Sequence, residues 1–268
     1  MIRPRKGRQL IDLKELGSYK ELLYFLVAKE IKVRYRQTVL GGLWTVIQPF
    51  FLMIIFTVFM GKLAKLPSDG IPYPVFYFSA MIAWQYFAST VTRSGNSLIG
   101  NMKLISRVYF PRLLIPLAPA LAGLLDFSIA FVVLIGIMLY FHIYPTVLTL
   151  LFPLLVIIMF FAASGAGMFL SALSAKYRDI PVTIPFLLQL WMFASPIVYP
   201  ASMVPVKYQL LYALNPVAGV IEGFRAALLG TIPFPWHIIL VSVLTSIILF
   251  GSGLFYFQQV ERFFADII

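Results

Sequence analysis

Long stretches without a charged side chain are the feature that most limits how this chain can fold. The longest runs for 49 residues, from Phe127 to Ala175, and others cover 37–61, 70–92 and 226–260. A charge at the centre of a bilayer costs about 2.5–3.5 kcal/mol, and a helix needs about 20 apolar residues to cross one. The chain is 61% hydrophobic and 12% charged, whereas water-soluble proteins are about 45–50% apolar and about 25% charged. The sequence therefore predicts a polytopic membrane protein. The spans are predicted to be helices, giving an all-α fold, because the strands of a membrane barrel would alternate apolar and polar residues.

Six membrane-spanning helices account for these stretches. A turn at His142–Pro145 divides the longest one, because proline disfavours continuation of a helix. Asp179 precedes a further apolar segment that contains three prolines. The predicted spans are approximately 37–61, 70–92, 113–141, 146–174, 181–199 and 236–257.

The distribution of basic residues predicts the orientation of the chain. With six spans, 17 of the 21 Lys and Arg residues fall on one face of the membrane. Positive charge marks the cytoplasmic face, so both termini are predicted to be cytoplasmic. The net charge of +11 is thus a topology signal, and no nucleic-acid partner is expected.

Several kinds of chemistry are not expected of this chain. It contains no cysteine, and His142 and His237 are far apart without an acidic cluster beside either, so no metal site is predicted. The phosphate-binding loop of ATPases does not occur in the sequence. Asp126 is the one carboxylate deep in a predicted span, and we interpret it as a structural hydrogen-bonding group rather than part of a proton relay.

Two predicted helices are amphipathic rather than spanning. In 17–36, apolar residues recur at helical spacing, which favours a helix on the cytoplasmic membrane surface or one packed on a soluble partner. In 93–112, an apolar stripe and a terminal Pro111 favour a short helix. That helix either anchors the chain at the interface or docks a cytoplasmic partner.

The segment 200–235 is predicted to lie on the outer side, although it is largely apolar. Pro205, Asn215-Pro216 and Gly230 divide it into two runs too short to cross a bilayer. A re-entrant or outer-surface helical hairpin is favoured over an ordinary proline-stiffened loop. Glu222 and Arg225 are three residues apart and are predicted to pair on one helix face.

Aromatic residues are concentrated in and around spans 1, 2 and 5. For each residue, a position in the interfacial aromatic belt or facing lipid is one interpretation. The other is an interior set of flat rings along which sugars slide, because aromatic rings pack on the apolar faces of pyranoses.

The order of these segments resembles that of the permease subunits of type 2 ABC exporters, in the branch that exports O-antigen, capsular polysaccharide and teichoic acid. The resemblance covers most of the chain. The motifs that carry it are Leu40-Gly41-Gly42-Leu43-Trp44 with Pro49, Ala83-Trp84-Gln85-Tyr86-Phe87, Asn101 to Arg112, Tyr177-Arg178-Asp179, Ser195-Pro196-Ile197-Val198-Tyr199-Pro200, and Asn215-Pro216 with Glu222, Phe224 and Arg225.

This resemblance implies a single transmembrane domain over 1–268. Residues 1–38 would hold the cytoplasmic interface helix and 39–260 the six-span core, with a coupling helix at 95–109 and a periplasmic gate hairpin at 201–230. It also implies a homodimer in the inner membrane, bound to two nucleotide-binding subunits that carry ATP and Mg, with no cofactor in this chain. The substrate would be a lipid-linked polysaccharide that crosses at the dimer interface, with membrane lipids around the protein.

The resemblance assigns residues to three roles. Those implied to couple to the ATPase are Ser97, Asn101, Lys103, Leu104, Arg107, Tyr177, Arg178 and Asp179. Those implied to line the polysaccharide path are Phe50, Trp84, Tyr86, Phe87, Trp191, Phe193 and Tyr199. The gate hairpin would use Asn215, Pro216, Glu222 and Arg225. The alternatives are a permease for a lipid or drug, or a polytopic membrane glycosyl- or acyltransferase.

Overall fold

A computed structural model describes residues 17–36, 43–230 and 233–261. Residues 1–16 and 37–38 of the predicted interface segment 1–38, together with Leu40-Gly41-Gly42 and Arg262, lie outside the described residues. Every regular element in the described part of the chain is a helix. The helices are α1 (Lys20–Tyr35), α2 (Trp44–Phe56, continued by a π-helix Thr57–Leu63), α3 (Tyr73–Gly100), α4 (Met102–Ile105), α5 (Leu114–Tyr140), α6 (Phe152–Lys176, preceded by a 3-10 turn Val147–Leu151), α7 (Ile180–Phe193), α8 (Val206–Ala213), α9 (Pro216–Leu229) and α10 (Trp236–Glu261).

Four of the described helices are long and apolar enough to cross a membrane. They are Trp44–Leu63, Leu114–Tyr140, Val147–Lys176 and Trp236–Glu261, and each coincides with a predicted span. The helix α3 has 28 residues and is about 42 Å long, but its sequence is less apolar than theirs. The prediction of a helical membrane protein with several spans is confirmed.

The end of the second predicted span differs from expectation. Residues 95–109 do not form one separate helix, because α3 continues unbroken through Arg93 to Gly100 and only the four residues of α4 follow. The reason is packing: the small residues Ser94 and Gly95 lie against α6 and α7, so the helix continues beyond the apolar stretch. The predicted coupling helix is thus the last turns of α3 together with α4.

The fifth predicted span, 181–199, is helical only as far as Phe193. The helix α7 ends at Phe193, and its 14 residues rise only about 21 Å, less than the ~30 Å of a hydrocarbon core. Pro196 disfavours helical backbone at the residue before it, and the chain turns through Ser195–Pro200 instead. The carboxamide of Asn215 fixes this turn by donating to the carbonyl of Ala194, at 3.1 Å.

The helix α9 occupies the centre of the bundle. All 14 of its residues are buried, and it packs against α3, α6 and α10. The predicted break at Asn215-Pro216 is confirmed, because α8 ends at Ala213 and α9 begins at Pro216. The helix α9, which is too short to span, is therefore enclosed by longer helices, whereas α8 of the same hairpin is mostly exposed.

The backbones of helices α6 and α10 approach each other closely. A Cβ atom added to Gly253 would overlap the carbonyl oxygen of Gly165, and one added to Gly165 would overlap the backbone of Leu249 and Phe250. Small residues allow helices in a membrane to pack at short range through van der Waals contact. This crossing fixes α10 against the rest of the bundle.

A second hydrophobic cluster lies at the end of the bundle that carries Arg93, Arg112 and Arg178, which we call the basic end. It joins Leu26 of α1, Leu98 of α3, Met168 of α6 and Phe257 of α10 around the first turns of α5. The predicted apolar stripe of 17–36 therefore packs on the protein itself. Tyr24 and Phe25 of the same helix are exposed.

Candidate functional site

A buried ion pair forms the polar centre of the hairpin. Arg225 Nη1 donates to Glu222 Oε1 at 2.8 Å, and the Arg225 side chain is fully buried. The two residues lie three positions apart on α9, so helical geometry alone brings them together. The pair predicted from their spacing is confirmed.

Arg225 also joins α9 to two other parts of the chain. Its Nη2 donates to the carbonyl of Phe76 on α3 at 3.3 Å and to that of Ile197 at 3.2 Å. The guanidinium carbon lies 3.5 Å from the centre of the Phe76 ring, a cation–π geometry. Glu222 accepts the backbone N–H of Ala201 at 3.4 Å. One ion pair thus holds α9, the start of α3 and the turn after α7 in a single arrangement.

Asn215 is the second junction of the hairpin. Its Oδ1 accepts the N–H of Val217 at 3.1 Å, which caps α9, and the indole N–H of Trp191 at 2.9 Å. Its amide also donates to Ser195 Oγ at 2.9 Å. Pro216 occupies the first position of α9, where the missing N–H needs no partner. The four predicted gate residues therefore lie in one connected region between α7 and α9.

The first group of predicted coupling residues lies at the basic end of α3. Ser97 is buried, with its Oγ 2.6 Å from the carbonyl of Ser94 and 3.4 Å from Ser171 Oγ on α6. Asn101 Oδ1 accepts from Lys29 Nζ of α1 at 2.6 Å. Lys103 and Arg107 are exposed, whereas Leu104 packs against the second hydrophobic cluster.

The second group, Tyr177, Arg178 and Asp179, follows the last residue of α6 and is exposed. Since Ser97 and Ser171 bring the ends of α3 and α6 together, this group lies at the same end of the bundle as Lys103 and Arg107. The carbonyl of Asp179 accepts the Thr183 hydroxyl at 2.9 Å, which ties the turn to α7. A role of these residues in contacting an ATPase stays a prediction.

Asp126 pairs with α1. Its carboxylate forms an ion pair with Arg34 and accepts the hydroxyl of Tyr35. The structural role predicted for Asp126 is confirmed, but its partners lie more than 90 residues away and could not be found by sequence spacing. Burial, with Arg93 nearby, lowers the pKa of Arg34 to about 10. At neutral pH Arg34 therefore stays charged, and Asp126 compensates it.

The aromatic residues predicted to line the path fall into two sets. Trp84, Tyr86 and Phe87 are buried inside one copy of the chain. The Tyr86 hydroxyl donates to the Ala120 carbonyl at 3.0 Å, and the Phe87 and Trp191 rings meet edge to face at 4.9 Å. The rings predicted to contact sugars are therefore packed against other residues of the same chain.

The remaining path residues are more accessible. Phe50 is 39% exposed and Phe193 is 63% exposed. Tyr199 is partly buried, and its hydroxyl donates to the Phe193 carbonyl at 3.0 Å. For these residues the role in the path stays a prediction.

Apolar helices of membrane-spanning length around the buried helix α9, with its ion pair, are typical of an integral membrane protein. Comparison with known proteins identifies the family: residues 21–229 match the family described as ABC-2 type transporter. The chain belongs to that family, and the resemblance found in the sequence is confirmed.

Three relatives illustrate the similarity. The O-antigen export system permease protein RfbA of Klebsiella pneumoniae is 30% identical over 257 residues, which cover 94% of this chain and 97% of the relative. The protein of the same name in Myxococcus xanthus is 28% identical over 80% of this chain and 82% of its own length. The polysialic acid transport protein KpsM of Escherichia coli is 25% identical over 76% and 80%, respectively. These names agree with the expectation of a transport subunit rather than an enzyme.

Proposed function

We propose that this chain is the membrane permease of an ATP-driven exporter that moves a lipid-linked polysaccharide across the inner membrane. Two copies would form the path, and two separate nucleotide-binding subunits would supply energy by hydrolysing ATP with Mg. The chain would cross the membrane six times, with α3 and the segment formed by α7 and the turn that follows it completing the set, and with both termini in the cytoplasm. Its similarity to permeases named for O-antigen export, along nearly the whole chain, supports this substrate class.

One observation carries the mechanism: α3 runs unbroken from the predicted gate hairpin to the residues predicted to couple to the ATPase. Near its first turn, the Phe76 carbonyl accepts from Arg225 of the hairpin. Near its last turn, Asn101 accepts from Lys29, and the exposed loop with Lys103 and Arg107 follows. A continuous helix transmits displacement along its axis, since its backbone hydrogen bonds resist local compression. Movement of the basic end by an ATPase would therefore reach the hairpin.

The exposed charges at the basic end are suited to docking such a subunit. Lys103 and Arg107 extend from a loop in which Leu104 and Ile105 pack into the second hydrophobic cluster. The loop is thus held in place while its cations face outward. Nucleotide-dependent contacts at this surface would shift the permease between two arrangements, as ligands shift other conformational equilibria.

Co-purification with the partner ATPase tests the proposal. The wild-type chain should form a stable complex with that subunit, and Lys103→Glu with Arg107→Glu should weaken the complex at least tenfold. Lys207→Glu, an exposed change on the hairpin, should leave it intact. A chain that never associates with a nucleotide-binding subunit would overturn the proposal.

Arg178→Ala tests coupling separately from assembly. This variant should insert, bind the ATPase and hydrolyse ATP, but should lose most of the glycan export per ATP hydrolysed. Export at the wild-type ratio would refute the role of Arg178.

A further inference from the structure

Before its last two residues, α3 has an accessible surface that is a single narrow stripe. Between Val75 and Leu98, every residue outside this stripe is buried. The members recur at intervals of three and four residues, so they share one face of the helix. They are Gln85, Ala88, Ser89, Thr92, Arg93 and Asn96, and we call them the α3 stripe.

The composition of the α3 stripe differs from that of the exposed faces of α5 and α10, which are mainly apolar. Apart from Ala88, all its members are polar or charged. On α5, by contrast, the exposed residues include Leu125, Val132 and Leu139, and α10 exposes Leu240, Leu244 and Ile247. Lipid-facing surfaces are apolar, because hydrocarbon offers polar groups no hydrogen-bond partners. The α3 stripe therefore does not face lipid, although Gln85, Ser89 and Thr92 lie within an uncharged stretch of membrane-span length.

The α3 stripe borders open space, although Ala88 also packs against the hydrophobic core. Gln85, Ser89, Thr92 and Arg93 line an open cavity of about 350 Å³. The hydroxyls of Ser89 and Thr92 donate to carbonyls of α3 itself, at 3.2 and 2.8 Å. Their oxygens keep acceptor capacity. Among the described residues, no other helix forms a hydrogen bond with these side chains.

Positive charge is concentrated at the basic end of the α3 stripe. Arg93 is exposed, and it lies near enough to Arg34 to lower the pKa of that residue. Asp126 pairs with Arg34, whose side chain is only 8% exposed and whose Nε and Nη2 atoms have no partner. No acidic residue in the described part of the chain forms an ion pair with Arg93. Arg93 is thus a cation of the stripe that is available to bind an anion.

We propose that the α3 stripe is a hydrophilic wall of the translocation path. Its ligand is a hydroxyl-rich carbohydrate chain, with an anionic group, carboxylate or phosphate, at Arg93. Amide and hydroxyl side chains both donate and accept, which matches the hydroxyls of a sugar chain. An apolar cargo would instead leave these groups without partners, at a cost in desolvation. The inference rests on the proposed export function and assigns its contact surface to polar residues rather than to Trp84, Tyr86 and Phe87.

Cysteine accessibility tests the position of the α3 stripe, since the chain has no cysteine of its own. Gln85→Cys and Ser89→Cys would be made in the permease–ATPase complex in membrane vesicles and treated with a charged, water-soluble maleimide. Val132→Cys, on the apolar exposed face of α5, and Ser164→Cys, buried on α6, serve as controls. Labelling of the stripe variants should be at least tenfold faster than that of both controls.

Two labelling results would overturn the proposal. A rate for Ser89→Cys equal to that for Val132→Cys would place the stripe in lipid. Oxidative cross-linking of Ser89→Cys to the same residue of a second copy, without aqueous labelling, would make the stripe a protein–protein contact.

Export by leucine variants tests the ligand. Gln85→Leu combined with Ser89→Leu should reduce glycan export at least tenfold, with the amount of complex unchanged. The matched control is Ser128→Leu, because Ser128 is an exposed serine on α5 that also donates to its own helix. It should export normally. Normal export by the double variant would overturn the assignment, whereas a wild-type complex that exports no glycan would instead overturn the proposed function.

Arg93→Gln distinguishes the two sources of the anion. Loss of export for acidic and neutral glycans alike supports a phosphate of the lipid carrier, and loss for acidic glycans alone supports a carboxylate of the sugar. Arg93→Lys should retain part of either activity. Unchanged export of both glycans by Arg93→Gln would overturn the role of Arg93.

Discussion

Arg225 and Glu222 should be energetically coupled, because each compensates the other away from water. In Glu222→Gln, the Arg225 guanidinium stays buried but keeps its hydrogen bonds to the carbonyls of Phe76 and Ile197 and its cation–π contact with the Phe76 ring. Removing one partner of a buried pair costs about 3–5 kcal/mol, and the remaining contacts favour the lower end of that range. In Arg225→Met, Glu222 keeps only the long contact from the Ala201 N–H. The loss of unfolding free energy in Arg225→Met should therefore be at the upper end of the same range.

The double variant decides between coupling and independence. With both charges removed, no uncompensated ion remains, so the loss should be at least about 2 kcal/mol smaller than the sum of the single losses. Unfolding of the purified chain in mixed micelles with rising SDS, followed by circular dichroism, gives these free energies. Lys207→Met, an exposed change on the same hairpin, should shift the unfolding free energy by less than about 0.5 kcal/mol. A loss in the double variant that equals the sum of the two single losses within about 0.5 kcal/mol would refute the coupling.

Three further changes test other contacts with the same unfolding assay. Gly253→Ala should destabilise by about 1–3 kcal/mol, because the new methyl group overlaps the backbone of α6, whereas Gly251→Ala meets open space and should be neutral. Asp126→Asn should lower the unfolding free energy by about 3–5 kcal/mol, because it leaves Arg34 unpaired. It should also make α1 sensitive to protease, and unchanged resistance of α1 to protease would contradict this pairing. Asn215→Ala should cost about 2–4 kcal/mol, since it removes a helix cap and buried partners, and a loss below 0.5 kcal/mol would argue against the junction.

The sequence predicts the fold where one physical rule dominates. Uncharged stretches locate the four long apolar helices, because charge is excluded from hydrocarbon regardless of tertiary contacts. The same rule ends the second span near Arg93, but α3 continues because Ser94 and Gly95 fit closely against α6 and α7. That fit depends on helices distant in sequence, so periodicity could not show it.

The site is predictable only where its contacts are local. The Glu222–Arg225 pair follows from a spacing of three, and the break at Asn215-Pro216 follows from proline. The direction in which Trp84 and Phe87 point depends instead on which neighbours surround α3. Helical periodicity does place Gln85 and Ser89 on a different face of α3 from these aromatic residues. That periodicity is the signal that could have located the polar stripe.

The complete enclosure of α9 has a consequence for the order of biogenesis. Its packing neighbours include α10, which follows it in the chain, so the bundle cannot close around α9 until α10 has been synthesised. During that interval Arg225 and Glu222 are already within reach of each other on one turn. The helix can therefore enter its apolar surroundings as a neutral unit, before any of its distant partners is in place.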